Sequence, residues 1–322
     1  MKAVRVHTPG GPEALTFEEI PAPTPAAGQA AVKLEACGVN YIDVYFRTGS
    51  YKAPLPLTVG LEGAGTVTAL GPGVTDVKVG DRVAWTGVPG SYAQANAVPA
   101  DRLVMLPDGL TFKDGAAAML QGLTAHYLVT STYPLKKGDI CLVQAAAGGM
   151  GLLLCQMAKM RGATVIGTTS TDEKAALAKG AGADHVILYT KQDFETEVKR
   201  ITGGVGVHVV YDGVGQSTFD KGINCLRPRG LMALFGAASG PVPPLDLQIL
   251  NARGSLFVTR PSLNHHIATR DELLERSADV LGWVRDGSLK LRVEHQFPLA
   301  EAAAAHRALE GRKTTGKILL IP

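Results

Sequence analysis

The stretch VQAAAGGMGLLLCQMAK, Val143 to Lys159, decides how the rest of the chain is interpreted. An apolar strand leads into a turn made only of Ala and Gly, and a helix follows. Ala146, Gly148 and Gly151 stand at the three positions of a GxGxxG turn, with Ala in place of the first Gly. Small side chains let a pyrophosphate approach the backbone, and the N–H groups and dipole at a helix start favour its negative charge. The stretch predicts a dinucleotide site; the alternative is a tight βα turn without a ligand.

The strand that follows, TVIGTTSTDEK, indicates which dinucleotide would bind. An NAD enzyme usually carries an acidic side chain at the end of this strand to hold the ribose hydroxyls. Here hydroxyl side chains, including Thr169 and Ser170, precede Lys174. Hydroxyl donors and an ammonium would hold a 2′-phosphate, which a carboxylate would repel. NADPH is therefore predicted over NADH; the alternative is that Asp172 caps a helix and Lys174 is a solvated surface charge.

The pattern of apolar residues changes near residue 113. Before it, short alternating segments such as AVRVHT, AAVKLEA and AGTVTAL are separated by Gly and Pro turns, which is typical of an antiparallel β domain. After it, apolar strands such as HVILY, VHVVYD and LMALFG alternate with helical stretches, as in the βα units of a parallel sheet. Beyond residue 261 come an amphipathic helix, a strand, a second helix and a terminal strand, KILLIP. Pattern alone leaves open to which half these last elements belong.

The composition is that of an ordinary globular protein of about two domains. The 322 residues are 46% hydrophobic and carry a formal net charge of +3. The lack of basic runs argues against a nucleic-acid surface, and no apolar run reaches the length of a bilayer span. The N-terminus lacks an apolar signal core, so no segment is excluded from the fold. The 4 cysteines form no CxxC pair, and a reduced cytosol is predicted rather than disulfides or a zinc cage.

The segment GDICLVQAAAGGMGLLLCQMAK, Gly138 to Lys159, resembles the signature of the quinone oxidoreductase and zeta-crystallin group, within the zinc-independent medium-chain dehydrogenases/reductases. Other matching pieces follow in the same order over nearly the whole chain: CGVNYIDVYFRTGSY, GLEGAGTV, LQGLTAHYLV, VVYDGVG, RGLMALFG, LFVTRPSL and LEGRKTTGKILLIP. The resemblance implies an α/β protein in which a GroES-like β-rich catalytic domain, residues 1–120, precedes a doubly wound Rossmann domain, residues 121–260, that binds NADPH. Residues 261–322 would return to the catalytic domain.

The zinc ligands of the alcohol dehydrogenases in this superfamily are missing from the sequence. Those enzymes have a Cys where Asn40 falls, and a His in a GHE motif where Leu61 falls, before Glu62. The four-Cys structural lobe is missing too. A carboxylate without thiolate or imidazole partners makes a poor zinc site, so no metal is predicted.

Without zinc, hydride transfer is predicted to go to an activated acceptor. A simple ketone would become a full alkoxide, which needs a Lewis acid or a strong proton donor, whereas a quinone or enone spreads the charge over its π system. The candidate catalytic donors are the Asn40 amide and the phenols of Tyr45 and Tyr51. By resemblance, their segment lines the interdomain cleft beside the nicotinamide. The Tyr rings could stack on a flat quinone, and the alternative is that they only pack at a domain edge.

The resemblance also implies cofactor contacts at individual positions. These positions are Asn40, Thr124, Gly149, Met150, Tyr189, Gly213, Val214, Phe235, Gly236, Ala237, Val258, Thr259 and Arg312. They join the candidates already inferred from the turn and the strand after it, which are Ala146, Gly148, Gly151, Thr169, Ser170 and Lys174. Lys174, Tyr189 and Arg312 would surround the 2′-phosphate. Gly213 departs from the family pattern, which often has Ser there, and FGAASG lacks a polar residue frequent in that loop.

The predicted function is metal-free reduction of a small-molecule quinone by NADPH, without a nucleic-acid or membrane partner. One alternative is an NADPH-dependent reductase of α,β-unsaturated carbonyls, and another is a crystallin-like protein that binds NADPH without significant catalysis. The apolar strand SLFVT near the sheet edge and the resemblance predict a homodimer formed through the sheets of two cofactor domains.

Overall fold

The computed structural model describes residues 1–322, which divide into two compact units. The first unit comprises Met1–Leu123 and His266–Pro322, and the second comprises Thr124–His265. The domain boundaries expected from the sequence fall at residues 120 and 260.

The first unit begins with a series of short strands. These are β1 (Lys2–Val6), β2 (Leu15–Glu19), β3 (Gln29–Val39), β4 (Leu57–Thr58), β5 (Glu62–Leu70), β6 (Arg82–Thr86), β7 (Ala95–Pro99) and β8 (Val104–Met105). Helix α1 (Tyr41–Arg47) follows β3, and α2 (Phe112–Tyr127) leads across the boundary into a π-helical turn, Leu128–Thr132.

The second unit alternates strands and helices. Its strands are β9 (Ile140–Val143), β10 (Thr164–Thr169), β11 (His185–Leu188), β12 (Val207–Asp212), β13 (Leu226–Leu234) and β14 (Phe257–Thr259). Its helices are α3 (Gly149–Met160), α4 (Asp172–Gly180), α5 (Phe194–Ile201), α6 (Phe219–Asn224) and α7 (Gln248–Ala252).

The chain then returns to the first unit through α8 (Arg270–Asp286), β15 (Val293–Pro298), α9 (Ala302–Glu310) and β16 (Lys317–Ile321). Short 3-10 helices lie at Pro12–Ala14, Ala100–Arg102, Leu263–His265 and Leu299–Glu301. Helix α8 has clear start and stop signals: Thr269 and Glu272 form a capping box, and Gly287 ends the helix at a φ of 81°.

The strands of the first unit form two sheets. β2, β1 and β4 make a small antiparallel sheet, and the larger sheet has the order β15-β16-β3-β5-β6-β8, with β7 also paired to β3. β16 pairs antiparallel with β3, so that Ile318 lies opposite Val39. The apolar faces enclose one core around Trp85, Tyr92 and Leu34. The tertiary structure therefore places the terminal strand, which pattern alone could not assign, in the first unit.

The second unit is a parallel sheet of six strands in the order β11-β10-β9-β12-β13-β14. The strand order reverses direction between β9 and β12, and open α/β sheets bind ligands beyond the carboxyl ends of their strands at such a point. Helices cover the sheet, so that Val209, Val210 and Tyr211 in β12 are all fully buried. The predicted α/β architecture, a β-rich part and a doubly wound parallel sheet, is confirmed.

None of the helices combines the length and the apolar character that crossing a membrane requires.

Candidate active site

The turn after β9, Ala145–Gly151, is called the phosphate turn below. Ala145 has a φ of 53°, and its carbonyl accepts the Gly148 N–H at 2.9 Å, which closes the turn tightly. A Cβ on Gly151 would lie 2.6 Å from Ala146 Cα, so only Gly fits where the helix starts against the strand. Gly148 is the N-cap of α3, and the first N–H groups of the helix, beginning with Gly149 and Met150, have no intrahelical acceptor. The turn therefore presents donors and a positive helix end to an anion.

Gly148 differs from Gly151 in having space in front of it. Its φ of −74° suits any residue, and an added Cβ would meet only the Ala145 carbonyl oxygen, at 3.3 Å. Two polar atoms near the adjoining strand ends, Gln144 Nε2 and Thr169 Oγ1, are buried without a hydrogen-bond partner. Buried polar atoms are rarely unpaired, so these two atoms suit hydrogen bonds to a polar ligand. An open approach to the backbone and unpaired donors fit a dinucleotide.

The hydroxyl residues at the end of β10 have different roles. Thr168 donates to Gln144 Oε1 at 2.6 Å and accepts the Ala145 N–H at 3.2 Å, so it braces the phosphate turn. Thr169 is buried, whereas Ser170 lies beyond the strand and is partly exposed. The Tyr189 N–H donates to the Thr169 carbonyl at 3.0 Å, which brings the ends of β10 and β11 side by side.

Lys174 lies in the first turn of α4. Thr171 is the N-cap of this helix and accepts the Lys174 backbone N–H. Asp172 lies at the first helical position and pairs with Lys191 at 2.8 Å, on the exposed surface. The strand end itself carries no carboxylate, whereas the first turn of α4 holds Asp172 and Glu173 beside the hydroxyls and the Lys174 ammonium that an anion could use.

Asp212, at the end of β12, organises the next loop. Its carboxylate accepts the N–H groups of Val214 (2.7 Å) and Gly215 (3.0 Å) and the Thr218 hydroxyl (2.7 Å). Burial raises the pKa of Asp212, while these hydrogen bonds act in the opposite direction. A Cβ on Gly213 would lie 2.7 Å from the Phe235 ring, so the aromatic side chain occupies the space in front of this glycine.

The remaining candidates of the second unit follow the same edge of the sheet. Gly236 packs closely on Gly213, because a Cβ added to Gly236 would lie 2.9 Å from the Gly213 Cα. Ala237 follows Gly236 in the same loop. Val258 and Thr259 lie opposite Met232 and Ala233, at the end of β14. The structure thus brings the loops after β9, β10, β11, β12, β13 and β14 to one edge because all of these strands are parallel.

Two candidates lie elsewhere. Thr124 is buried within α2, and Arg312 lies in the first unit, after α9, at a φ of 55°. Arg312 therefore belongs to a different unit from Lys174 and Tyr189, with which the sequence grouped it.

In the first unit, Asn40 belongs to a buried group with Glu62, Gln121 and Lys317, which we call the amide cluster. Asn40 Oδ1 accepts from Lys317 Nζ at 2.7 Å and from Gln121 Nε2 at 3.1 Å. Asn40 Nδ2 donates to Glu62 Oε2 at 2.9 Å, and Lys317 also forms an ion pair with Glu62. Glu62 is completely buried, and its other oxygen accepts the Leu120 N–H at 2.6 Å. Each charge in the cluster has a charged partner and hydrogen bonds, as buried charges require.

The amide cluster needs a glycine beside it. A Cβ on Gly38 would collide with the Glu62 carboxylate and would lie 2.6 Å from the Ala116 carbonyl oxygen. Leu61 is buried and offers no metal ligand. No three His, Cys, Asp or Glu side chains are placed so that they could share a metal ion.

A second buried group of polar side chains forms a series of hydrogen bonds that begins at the start of α1. Asp43 Oδ2 accepts the Asn40 backbone N–H at 2.8 Å and the Tyr92 hydroxyl at 3.0 Å. Tyr92 lies 3.1 Å from His306 Nε2, and His306 Nδ1 lies 3.1 Å from Arg47 Nη1. Because a guanidinium only donates, His306 accepts at Nδ1 and carries its proton on Nε2. Burial raises the pKa of Asp43 to about 7, and burial, followed by the Arg47 charge, lowers that of His306 to about 3.

The candidate tyrosines form an aromatic group on and after α1. The Tyr45 and Tyr51 ring centroids lie 5.1 Å apart at 50°, and Tyr41 and Phe46 each pack 5.7 Å from one of them. Tyr51 is 39% exposed, so part of this aromatic group is accessible to solvent.

Sequence reasoning missed several of these residues. Lys317 had a visible signal, because it is a charged residue at the start of an otherwise apolar strand, KILLI. Asp212 closes the apolar run VHVVYD before a Gly-rich loop, and such a position is also readable. Gln121 and His306 had no signal, because their partners are far away along the chain.

Comparisons with known proteins match both units. Residues 26–108 match the family model "Alcohol dehydrogenase GroES-like domain", and residues 149–277 match "Zinc-binding dehydrogenase". A 2-haloacrylate reductase from Burkholderia sp is 45% identical over 99% of this chain and 98% of its own length. A quinone oxidoreductase from Pseudomonas aeruginosa is 43% identical over 100% of this chain and 99% of its own.

A solved structure extends these similarities to the fold. The crystal structure of an Escherichia coli quinone oxidoreductase complexed with NADPH superposes with a TM-score of 0.98, at 44% identity, and covers 100% of both chains.

Proposed function

This chain belongs to the quinone oxidoreductase group of the zinc-independent medium-chain dehydrogenases/reductases, and we propose that it is an NADPH-dependent quinone reductase that works without a metal. The balanced reaction is NADPH + H⁺ + quinone → NADP⁺ + hydroquinone. The observation that carries the metal-free proposal is the amide cluster. At the position where related alcohol dehydrogenases have a zinc ligand, this chain has Asn40. Its carboxamide is held by the charged side chains of Glu62 and Lys317.

In this proposal the second unit binds the cofactor. The phosphate turn holds the pyrophosphate through the N–H groups at the start of α3, because Gly148 leaves the approach open and Gly151 lets the helix begin there. Ser170, Lys174 and Tyr189 contact the 2′-phosphate half. Bound NADPH supplies the hydride.

The first unit handles the acceptor. The Asn40 amide donates to the quinone oxygen that gains charge, while the Tyr45 and Tyr51 rings contact the flat ring of the acceptor. A neutral donor suffices because the charge is delocalised over the quinone. Hydride addition leaves the hydroquinone monoanion, which takes one proton from water to give the hydroquinone.

The proposal is tested by steady-state oxidation of NADPH with 1,4-benzoquinone as acceptor. We expect turnover with NADPH, and a much weaker reaction with NADH. NADPH binding without turnover on a panel of quinones and alkenals would contradict the proposal and favour a binding protein.

A second function is favoured by one observation, the 45% identity with a 2-haloacrylate reductase. In that reaction hydride goes to the β-carbon of the conjugated acid, and Asn40 would hold the enolate oxygen. Parallel assays with 2-chloroacrylate and an alkenal separate the two functions, since the preferred acceptor has the higher kcat/KM.

We also propose a cytoplasmic location and a homodimer. All 4 cysteines are buried free thiols, which fits a reducing compartment. Strand β14 is one of the two outer strands of the six-stranded sheet, and Phe257 on it is 60% exposed. Two copies could pair their β14 edges and cover both apolar surfaces.

A further inference from the structure

Lys317 is a buried ammonium that makes one more polar contact than the ion pair that its charge requires. It is 3% exposed, and lysines are rarely so buried unless paired. The ion pair with Glu62 meets that requirement. The additional hydrogen bond from Lys317 Nζ to Asn40 Oδ1, at 2.7 Å, ties the ammonium to the proposed donor.

The charges around Asn40 allow its carboxamide only one orientation. Lys317 and Gln121 both donate to Oδ1, which fills the two lone pairs of that oxygen. A flipped amide would turn its NH₂ group toward the ammonium and its oxygen toward the Glu62 carboxylate, and both contacts would be repulsive. The Lys317–Glu62 pair therefore sets which way the amide points.

One amide hydrogen stays weakly engaged in this orientation. Nδ2 donates to Glu62 Oε2 at 2.9 Å, whereas its contact with the Gly38 carbonyl is 3.5 Å long, at the limit of a hydrogen bond. Donation from Lys317 to Oδ1 polarises the amide and strengthens its N–H as a donor.

We propose that Lys317 is a positioning residue for hydride transfer, which orients and polarises the Asn40 amide so that its second N–H faces the acceptor oxygen. This inference rests on the proposed function, in which Asn40 is the donor. It adds a role for a cation that never touches the acceptor.

The test removes both charges together, because Lys317→Met by itself would leave the Glu62 carboxylate buried and unpaired. The variant Lys317→Met/Glu62→Gln is compared with wild type in thermal unfolding, in the NADPH Kd from fluorescence titration, and in kinetics with 1,4-benzoquinone. We expect kcat to fall about tenfold or more, by the reasoning for a lost oxyanion donor, while the NADPH Kd changes by less than about twofold. An equal loss of NADPH affinity would assign the pair to cofactor binding and overturn the proposal.

The decisive comparison adds Asn40→Ala. If Lys317 acts through the amide, the triple variant is no slower than Asn40→Ala, because the shared interaction is already gone. If the two losses multiply, Lys317 acts independently of Asn40 and the inference is wrong.

Two further variants complete the design. Gln121→Leu removes the other donor to Oδ1 without burying a charge, so it keeps the test valid if the double variant does not fold; its smaller loss of kcat should also vanish on the Asn40→Ala background. The matched control is Lys33→Met/Glu35→Gln, an exposed Lys–Glu pair at 3.1 Å in the same unit, which should keep the wild-type kcat. Absence of quinone turnover in the wild type would sink the proposed function instead, so the two failures are distinguishable.

Discussion

Gly148 and Gly151 lie in the same turn but serve different purposes. A Cβ at Gly148 would meet only the Ala145 carbonyl oxygen, in a tight contact of 3.3 Å, and would occupy the approach to the backbone, whereas a Cβ at Gly151 would collide with the turn itself. We expect Gly148→Val to weaken NADPH and NADH alike by tenfold or more, about 1.4 kcal/mol, with a smaller loss of stability than a substitution at Gly151. Gly151→Ala should instead lower the free energy of unfolding by about 1–3 kcal/mol. Urea denaturation and cofactor titration of both variants measure this; a stable Gly151→Ala protein would contradict the assignment.

Lys174 is expected to act only on the 2′-phosphate. Lys174→Ala should weaken NADPH binding by about 1–3 kcal/mol, the range for a charge-assisted hydrogen bond, and leave NADH almost unchanged. Titration with both cofactors measures the difference. Lys179, exposed in the last turn of the same helix, is the control position for alanine substitution. If NADH and NADPH lose affinity equally while circular dichroism shows an intact fold, Lys174 does not read the phosphate.

At the scale of elements, the buried chain from Asp43 through Tyr92 to His306 joins α1 and α9 and makes stability depend on pH. The pKa of His306 is lowered to about 3, so below about pH 6.5 the unfolded chain takes up a proton that the folded protein refuses. That group alone makes stability fall with acidification, by up to about 1.4 kcal/mol per pH unit. The pKa of Asp43 is raised to about 7, so the folded protein holds a proton that the unfolded chain has released. Asp43 therefore stabilises the fold at low pH, and this stabilisation is lost as pH rises from about 4 to 7.

Between about pH 4 and 6.5 the effects of His306 and Asp43 on the free energy of unfolding change with pH in opposite directions. A substitution of His306 should remove one of these effects and leave the other. His306→Gln keeps one acceptor toward Arg47 and one donor toward Tyr92, but it cannot titrate. We expect its deficit in unfolding free energy relative to wild type to shrink on acidification from pH 6.5 to 4.5, by about 2 kcal/mol. Urea denaturation at both pH values measures it, and a deficit independent of pH would contradict the assigned protonation state.

At the scale of the whole molecule, catalysis is expected to need no metal. Exhaustive treatment with EDTA should leave kcat/KM with 1,4-benzoquinone unchanged, because Asn40 and Leu61 cannot replace a Cys and a His as zinc ligands. Elemental analysis before and after treatment provides the control. Stoichiometric zinc that leaves together with activity would refute this expectation.

Association of two copies is the second prediction at this scale. Phe257→Asp places a charge on the exposed edge strand β14 and should shift the protein from dimer to monomer. Light scattering over a dilution series measures the mass. Val205→Asp, at another exposed apolar position of the same unit, is the matched control and should stay dimeric. A wild-type protein that is monomeric and fully active when dilute would contradict the dimer.

The sequence predicted the architecture because local signals repeat along each half. Gly and Pro turns separate alternating strands in the β-rich part, and apolar runs alternate with helices in the parallel sheet. The Ala-Gly turn between a strand and a helix is a contiguous motif, so its geometry could be anticipated from Ala146, Gly148 and Gly151. The candidates at the carboxyl ends of β11 to β14 came from the family resemblance, and their positions agree with the rule that parallel strands bring their ends to one edge.

By itself, then, the sequence determined the fold class, the position of the phosphate turn and the lack of Cys and His at the zinc positions. Only the tertiary structure decided that β16 pairs with β3 and that Lys317 and Gln121 donate hydrogen bonds to Asn40. It also decided that Tyr92 links His306 to Asp43 by hydrogen bonds. The physical reason is separation along the chain: Asn40 and Lys317 are 277 positions apart, and Tyr92 and His306 are 214 apart. Periodicity and motifs report neighbours in sequence, whereas a buried charge finds its partner only after the strands have paired and water has been excluded.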